Sequence, residues 1–506
     1  MAGQANGRAA SDTVRGYLDE GPLWSDGTPA GDPPLTGMQK RIWLLAAAGK
    51  FFEGLVVFMT GVALPLVHEE FTLSPAQNGM VGAATLFGIL IGAISLGGLA
   101  DRFGRKTIFI AEMVLFCLFL VGLTFSPDFF WLVLFLFGIG VALGGDYPTA
   151  HLIISESIPS RVRGRLVLGA FGFQSLGALA GTGIGYLILS NLPEIGAWRW
   201  MYATAILPAL IVVLGRLTVT ESPAWLLLHG RQADAEKAAT RLLRRSPQYP
   251  STITLALPSP PAGERKTGYA ALFSAGTRRA TILAAVPWFL QDLGTYGIGI
   301  FTPTILALSL GHPKAHAGNV SDLIGRDIVA AQGAAFLDVL LIVGIVAAIF
   351  MADRIGRIRL QVIGFAGCAA GLLLAALSNH FDGPGQTVLL FAGFMLFNFM
   401  TNMGPNAQTY LIAGEVFPTG VRGRGAGLAA SFAKIGAVAT VFLFPILLHS
   451  LGTDILLAIL IGTSLLGAFV TWRFRIETAG ISLEAMDTAP DSPNHGRRQQ
   501  PGGRHG

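Results

Sequence analysis

Five ionisable side chains sit deep inside apolar stretches of this 506-residue chain: Glu53, Asp146, Asp292, Asp338 and Lys434. On insertion scales a charge at the centre of an apolar span costs about 2.5–3.5 kcal/mol, so each is expected to face a cavity or a partner. Lys434 is the basic residue deep in a span of the second half, which makes it a counter-charge for an anion or for an aspartate. Asp146 and Asp292 would repel an anion while ionised. A desolvated carboxylic acid can instead keep its proton and donate a hydrogen bond, so proton and anion would bind together. Glu53 suits a proton path or a buried structural hydrogen bond. Asp338, in AAFLDVLLI, has no assigned role, and the lone His151 reads as structural. Without a nucleophile and base at matched spacing, a metal-ligand cluster or a phosphate loop, an enzyme is not expected, nor is a cofactor.

The elements that hold these groups are apolar helices. Hydrophobic residues make up 52% of the chain and charged residues 13%, against about 25% charged in soluble domains. A membrane crossing needs roughly 20 apolar residues. Twelve such runs are expected, from 42 to 67 through 281 to 308, 387 to 413 and 424 to 450 to the last at 452 to 473. The organisation is then a tail at 1–41, a six-helix bundle at 42–219, a polar linker at 220–280, a second six-helix bundle at 281–473 and a disordered tail at 474–506. Basic clusters at Arg102 to Lys106, Arg161 to Arg165, Arg354 to Arg359, Arg422 to Arg424 and Arg473 to Arg475 fall on one side of these spans. By the positive-inside rule that side and both termini are cytoplasmic, in a plasma or inner membrane. The net charge of +5 comes without a long basic tract, so nucleic acid is not an expected partner. The expected partners are the bilayer, a small anionic substrate and a proton, with one chain sufficient for function. Cys117 and Cys368 imply no disulfide framework.

The halves repeat. DRFGRK at 101 to 106 is echoed by DRIGRI at 353 to 358, and ESIPSRVRGR at 156 to 165 by EVFPTGVRGR at 415 to 424. Parallel repeats of this kind place a substrate path at their interface near the bilayer midplane. Asp101, Arg105, Glu156, Arg163, Asp353, Arg357, Glu415 and Arg422 stand at helix ends. They read as a charge network at a cytoplasmic gate rather than as substrate ligands.

The DRxGRK element and its repeat resemble the major facilitator superfamily signature, and TESPAWLLLHGR at 220 to 231 is similar to a segment of its sugar-porter-like branch. GGDYPTA, FQSLG, WFLQDLGTY and GPNAQTYLIAGEVFPT, followed by SFAKIGA, together resemble the phosphate:proton symporters. That resemblance implies an all-α membrane fold of about 12 helices and proton-coupled uptake of phosphate or a similar small anion by alternating access. The alternatives are an organic anion or sugar carrier of the same fold and a non-transporting nutrient sensor. Carried over by motif, the implied substrate residues are Asp146, Tyr147, Gln174, Trp288, Asp292, Tyr296, Asn406 and Lys434, with Asp146, Glu53 and Asp292 in proton coupling. Two positions depart from the family pattern: Leu136 stands where an arginine usually precedes GGDYP, and Val56 replaces the second acid of the first helix.

Overall fold

The computed structural model describes residues 13–19, 35–244, 253–256, 269–310, 320–417 and 421–478. Its described elements are helical. The first half comprises α1 (Val14–Asp19), α2 (Gly37–Phe71), α3 (Pro75–Phe103), α4 (Arg105–Thr124), α5 (Phe129–Ser157), α6 (Ser160–Asn191), α7 (Ala197–Ala203) and α8 (Ile206–Leu217). The short helices α9 (Pro223–Leu228) and α10 (Gln232–Leu242) follow. The second half comprises α11 (Arg278–Leu310), α12 (Val320–Ile355), α13 (Arg357–Leu377), α14 (Pro384–Met403), α15 (Pro405–Glu415) and α16 (Arg422–Arg473). Counting α7 with α8, α14 with α15, and α16 as two rods gives 12 long helical units, six in each half.

Boundaries follow local chemistry. Thr36 and Ser74 each cap a helix reciprocally with the glutamine three residues on, which satisfies amides that the first turn leaves bare. Gly452, at φ 79° and ψ 171°, breaks α16 where the spans 424 to 450 and 452 to 473 meet. The expected span 387 to 413 is interrupted. Pro405 cannot donate a backbone hydrogen bond, and a Cβ on Gly404 would stand 2.5 Å from the Gly364 Cα, so the chain breaks there into α14 and α15.

The interior is assembled from small-residue crossings and apolar side chains. Added Cβ atoms at Gly177 and Gly181 of α6 would strike the α2 backbone at Phe51 and Leu55. Gly88 and Gly92 of α3 meet α5 in the same manner at Phe137 and Val141. Outward, Leu207, Leu118 and Phe350 are 67%, 62% and 67% exposed. A lipid solvent covers such a surface where water would leave it an aggregation site.

Helix ends carrying the basic clusters form one face, here termed the basic face; the ends near Phe71 and Asn191 form the distal face. On the basic face the two halves use one device twice. Gly104 (φ 99°) and Gly356 (φ 97°) turn the chain into α4 and α13. The Glu221 carboxylate accepts from the Lys106 amide at 3.0 Å, and the Glu477 carboxylate from the Arg357 and Ile358 amides at 2.9 and 3.2 Å. Each acid therefore sits at a helix N-terminus, where bare amides and the helix dipole favour negative charge.

This changes the reading of the chain's polar segments. Residues Val14–Asp19, expected in a tail, form α1, whose Asp19 accepts from the Ser160 amide at 2.6 Å and whose Arg15 donates to the Ser155 carbonyl at 3.0 Å. Residues 476–478, placed in a disordered tail, include the Glu477 cap and Thr478, which donates to Glu415 at 2.7 Å. Thr13 precedes α1, residues 35–41 join the start of α2 and 474–475 follow α16, and the rest of both tails lies outside the described residues.

Candidate functional site

Midway along the helices, three elements from both halves bring charged groups together, and a fourth, α6, adds an amide. Helix α2 supplies Lys50 and Glu53, a turn apart on one face, with Lys50 Nζ 2.5 Å from Glu53 Oε2. Helix α16 supplies Lys434, whose Nζ is 3.7 Å from Glu53 Oε1 and 3.4 Å from Asp292 Oδ2 of α11. Tyr296, one turn beyond Asp292, accepts from Lys434 at 2.7 Å and donates to Glu53 at 3.2 Å. Gln174 of α6 donates to the Tyr296 hydroxyl at 3.0 Å and to Glu53 at 3.3 Å. Lys50, Glu53, Asp292 and Lys434 are all buried, so two cations and two carboxylates balance locally. Glu53 is the shared counter-charge of both lysines.

Beside this cluster lies a cavity of about 20 Å³ lined by Phe58, Gln174, Ser175, Thr295, Tyr296, Leu341, Asn402 and Asn406, among others. That space suits a water molecule, not a sugar or a carboxylate. The break at Gly404 explains Asn406: it opens α15, and its Nδ2 donates to Asn402 Oδ1 at 2.6 Å. Asn406 Oδ1 in turn accepts from Gln291 at 3.1 Å. Asn402 reaches across to Ser175 of the first half at 2.6 Å.

Of the residues expected at the substrate site, Gln174, Tyr296 and Asn406 line this cavity, while Asp292 and Lys434, with the proton-coupling candidate Glu53, form the charged cluster beside it. Asp146 does not line it. Its Oδ1 lies 2.6 Å from Arg216 Nη2, and its carboxyl fills the space left by Gly49, where a Cβ would overlap it. Arg216 is fully buried, donates to the carbonyls of Phe109 and Leu45 at 2.6 and 3.2 Å, and lies over the Phe109 ring at 3.6 Å. Asp146 therefore has a guanidinium partner inside the first half, rather than an anion facing it. Trp288 is also displaced from the cavity lining: it is buried edge-on against Tyr410, ring centroids 6.2 Å apart, and Tyr410 stacks on Phe171 of the other half at 4.7 Å. The Tyr147 side chain lies outside the described part of the structure.

Three groups in or near these sites escaped the sequence reading. Lys50 sits in the expected first span and Glu112 in the third. Arg216, close to the basic end of the sixth, looks like an ordinary flanking charge. Glu112 accepts from Thr149 at 3.0 Å and acts electrostatically on Asp146.

Among the helix-end charges, Arg105 pairs with Glu156 and Arg357 with Glu415, both at 3.3 Å. Each pair ties two helices of the same half, so neither bridges the halves. The side chains of Asp101, Asp353 and Arg422 lie outside the described part.

The family model for the sugar (and other) transporters matches residues 42–489. The chain belongs to that family. As a family member it is a multi-pass integral membrane transporter and not an enzyme. An inner membrane metabolite transport protein of Escherichia coli, YgcS, is 30% identical over 474 residues, covering 92% of this chain and 97% of that one. A probable inorganic phosphate transporter of rice, 1-12, is 27% identical over 498 residues, covering 88% and 91%. The structure of the E. coli proton:xylose symporter XylE, of the major facilitator superfamily, aligns with a TM-score of 0.69 at 20% identity, over 89% of this chain and 98% of that one. These likenesses support the organic-solute alternative of the sequence reading better than phosphate.

Proposed function

We propose that this transporter carries a small organic anion, a carboxylate, together with a proton, by alternating access between its halves, with the basic face cytoplasmic. The observation that carries this reading is Glu53 held between Lys50 and Lys434. Protonating Glu53 removes one negative charge from a balanced set and leaves one uncompensated positive charge. At 4 Å and an effective dielectric of about 20, that charge attracts a monoanion by about 4 kcal/mol. A neutral sugar gains nothing comparable. Proton and anion thus favour each other's binding, and the shared network through Tyr296 and Gln174 must rearrange to admit the anion.

A carboxylate is preferred to phosphate because no guanidinium among the described residues lines the cavity. Arg216 is turned to Asp146, and Leu136 occupies the place of the arginine in the phosphate pattern. Arginine forks recognise phosphate oxygens in pairs, whereas a lysine offers a point charge suited to either anion. The amides of Asn402, Asn406 and Gln174 supply the remaining polar contacts.

The test is uptake of radiolabelled benzoate, lactate, phosphate and xylose into proteoliposomes under an inward proton gradient. A carboxylate should accumulate, with uptake reduced at least tenfold by Lys434→Ala, and Glu53→Gln should abolish accumulation above the equilibrium concentration. Gradient-driven accumulation of phosphate or xylose, without a carboxylate, would overturn the substrate assignment.

A further inference from the structure

Asp338 is a buried acid outside the central cluster. It is 4% exposed, midway along α12, and faces α6 of the other half. Thr182 Oγ1 lies 3.0 Å from Asp338 Oδ2 and 3.1 Å from the Ala178 carbonyl. Ala178 and Leu341 line the central cavity, so this contact sits about one turn beyond it, on the distal side.

Among the described residues the surroundings offer no cation. Helix α6 presents the Thr182 hydroxyl. Helix α14 presents Asn398 and Asn402, whose amides are taken up by the α12 carbonyls of Leu337 and Leu341. Helices α2 and α11 bring their mid-span charges, Lys50, Glu53 and Asp292, into the central cluster. Among the described residues no salt bridge reaches Asp338. Three turns nearer the distal face α12 carries Asp327, buried and acted on by Glu69 of α2, with Arg326 beside it.

An ionised carboxylate enclosed without a cation is strongly disfavoured, whereas a neutral acid satisfies this geometry. The threonine hydroxyl has one hydrogen. With that hydrogen on the Ala178 carbonyl, a protonated Asp338 supplies the other to Thr182.

We propose that Asp338 is a second proton-binding site, separate from the substrate site, and that the distal seam between α6 and α12 closes only when Asp338 is protonated. Parting the halves at this face admits water, which solvates the carboxylate and releases the proton. Reclosure recaptures one. The distal gate is thereby set by the pH of the compartment it faces, whichever solute is carried.

The experiment places spin labels at Leu187 and Val329, which are 57% and 55% exposed on α6 and α12. Double electron–electron resonance distances are recorded in nanodiscs from pH 5 to pH 9, in a Glu53→Gln background that silences the central proton. One linked proton changes the closed-to-open ratio by up to tenfold per pH unit within its titration range. The ratio should fall as pH rises, become flat and closed in Asp338→Asn, and retain its slope at a lower midpoint in Thr182→Val. A flat response in the background protein, or the same slope in Asp338→Asn, overturns the proposal. So does loss of the slope in Asp327→Asn with its retention in Asp338→Asn.

Discussion

Replacing Arg216 with methionine tests the electrostatics of the first half most directly. The guanidinium is fully buried, 2.6 Å from Asp146, and bonded to two helix carbonyls. Methionine keeps much of the volume and packs on Phe109, so the loss is mainly of charge and donors. Removing one member of a buried pair typically costs about 3–5 kcal/mol, because the survivor stays buried without compensation. Here the survivor also has Glu112 for a neighbour, which raises the cost. Arg216→Met combined with Asp146→Asn removes both charges and should recover at least about 2 kcal/mol, since contacting partners couple non-additively. The assay is equilibrium unfolding of the purified protein in mixed micelles, followed by tryptophan fluorescence. A single variant within about 0.5 kcal/mol of the parent, or a double variant whose cost is the sum of the singles, would refute the idea that Arg216 is needed to keep Asp146 inside.

Two further outcomes follow from packing and capping. Gly49→Ala should push the Asp146 carboxyl off Arg216 and destabilise the fold by about 1–3 kcal/mol; in an Asp146→Ala background, where the space is vacant, the same substitution should be nearly silent in that assay. Glu477→Ala should weaken the start of α13 by about 0.5–2 kcal/mol, and Glu221→Ala the start of α4 by a similar amount, each read as faster amide hydrogen exchange confined to that first turn.

The spans were legible because a bilayer demands a length and a polarity that leave a plain trace in any window of residues. The duplicated loops were legible because DRFGRK and DRIGRI keep both spacing and chemistry. Lys434 and Asp292 stand out as ionisable groups in apolar spans, Tyr296 enters through the resemblance of WFLQDLGTY, and the structure places the three within one network. Partner choice was another matter. Nothing in GRLTV marks Arg216 as reaching inward, because a basic residue near a span's end snorkels to the surface as readily as it buries. That contact depends on α8 lying against α4 and α2, which is a property of the packed bundle. Asp146 shows the same dependence: its motif points to a substrate shell, while in this structure it lies in a niche made by Gly49 and Arg216. Lys50 was overlooked although GKFFEG carries both members of an ion pair three residues apart.

The paired caps made by Glu221 and Glu477 bear on where this polypeptide can be divided. Each half is finished by an acid lying just after its last membrane crossing, in Thr220–Ser222 and in the segment following Arg473. A break introduced before residue 221, or a truncation before 477, would hand each fragment an unfinished third helix. Two separately expressed fragments cut between residues 256 and 269, beyond the segment whose Leu255 bonds Gln232 and Glu236 of α10, would instead each carry their own closing residue. The duplication thus left units that are complete cassettes, each bolted by its own trailing segment, and split-protein reassembly is a natural use for that boundary.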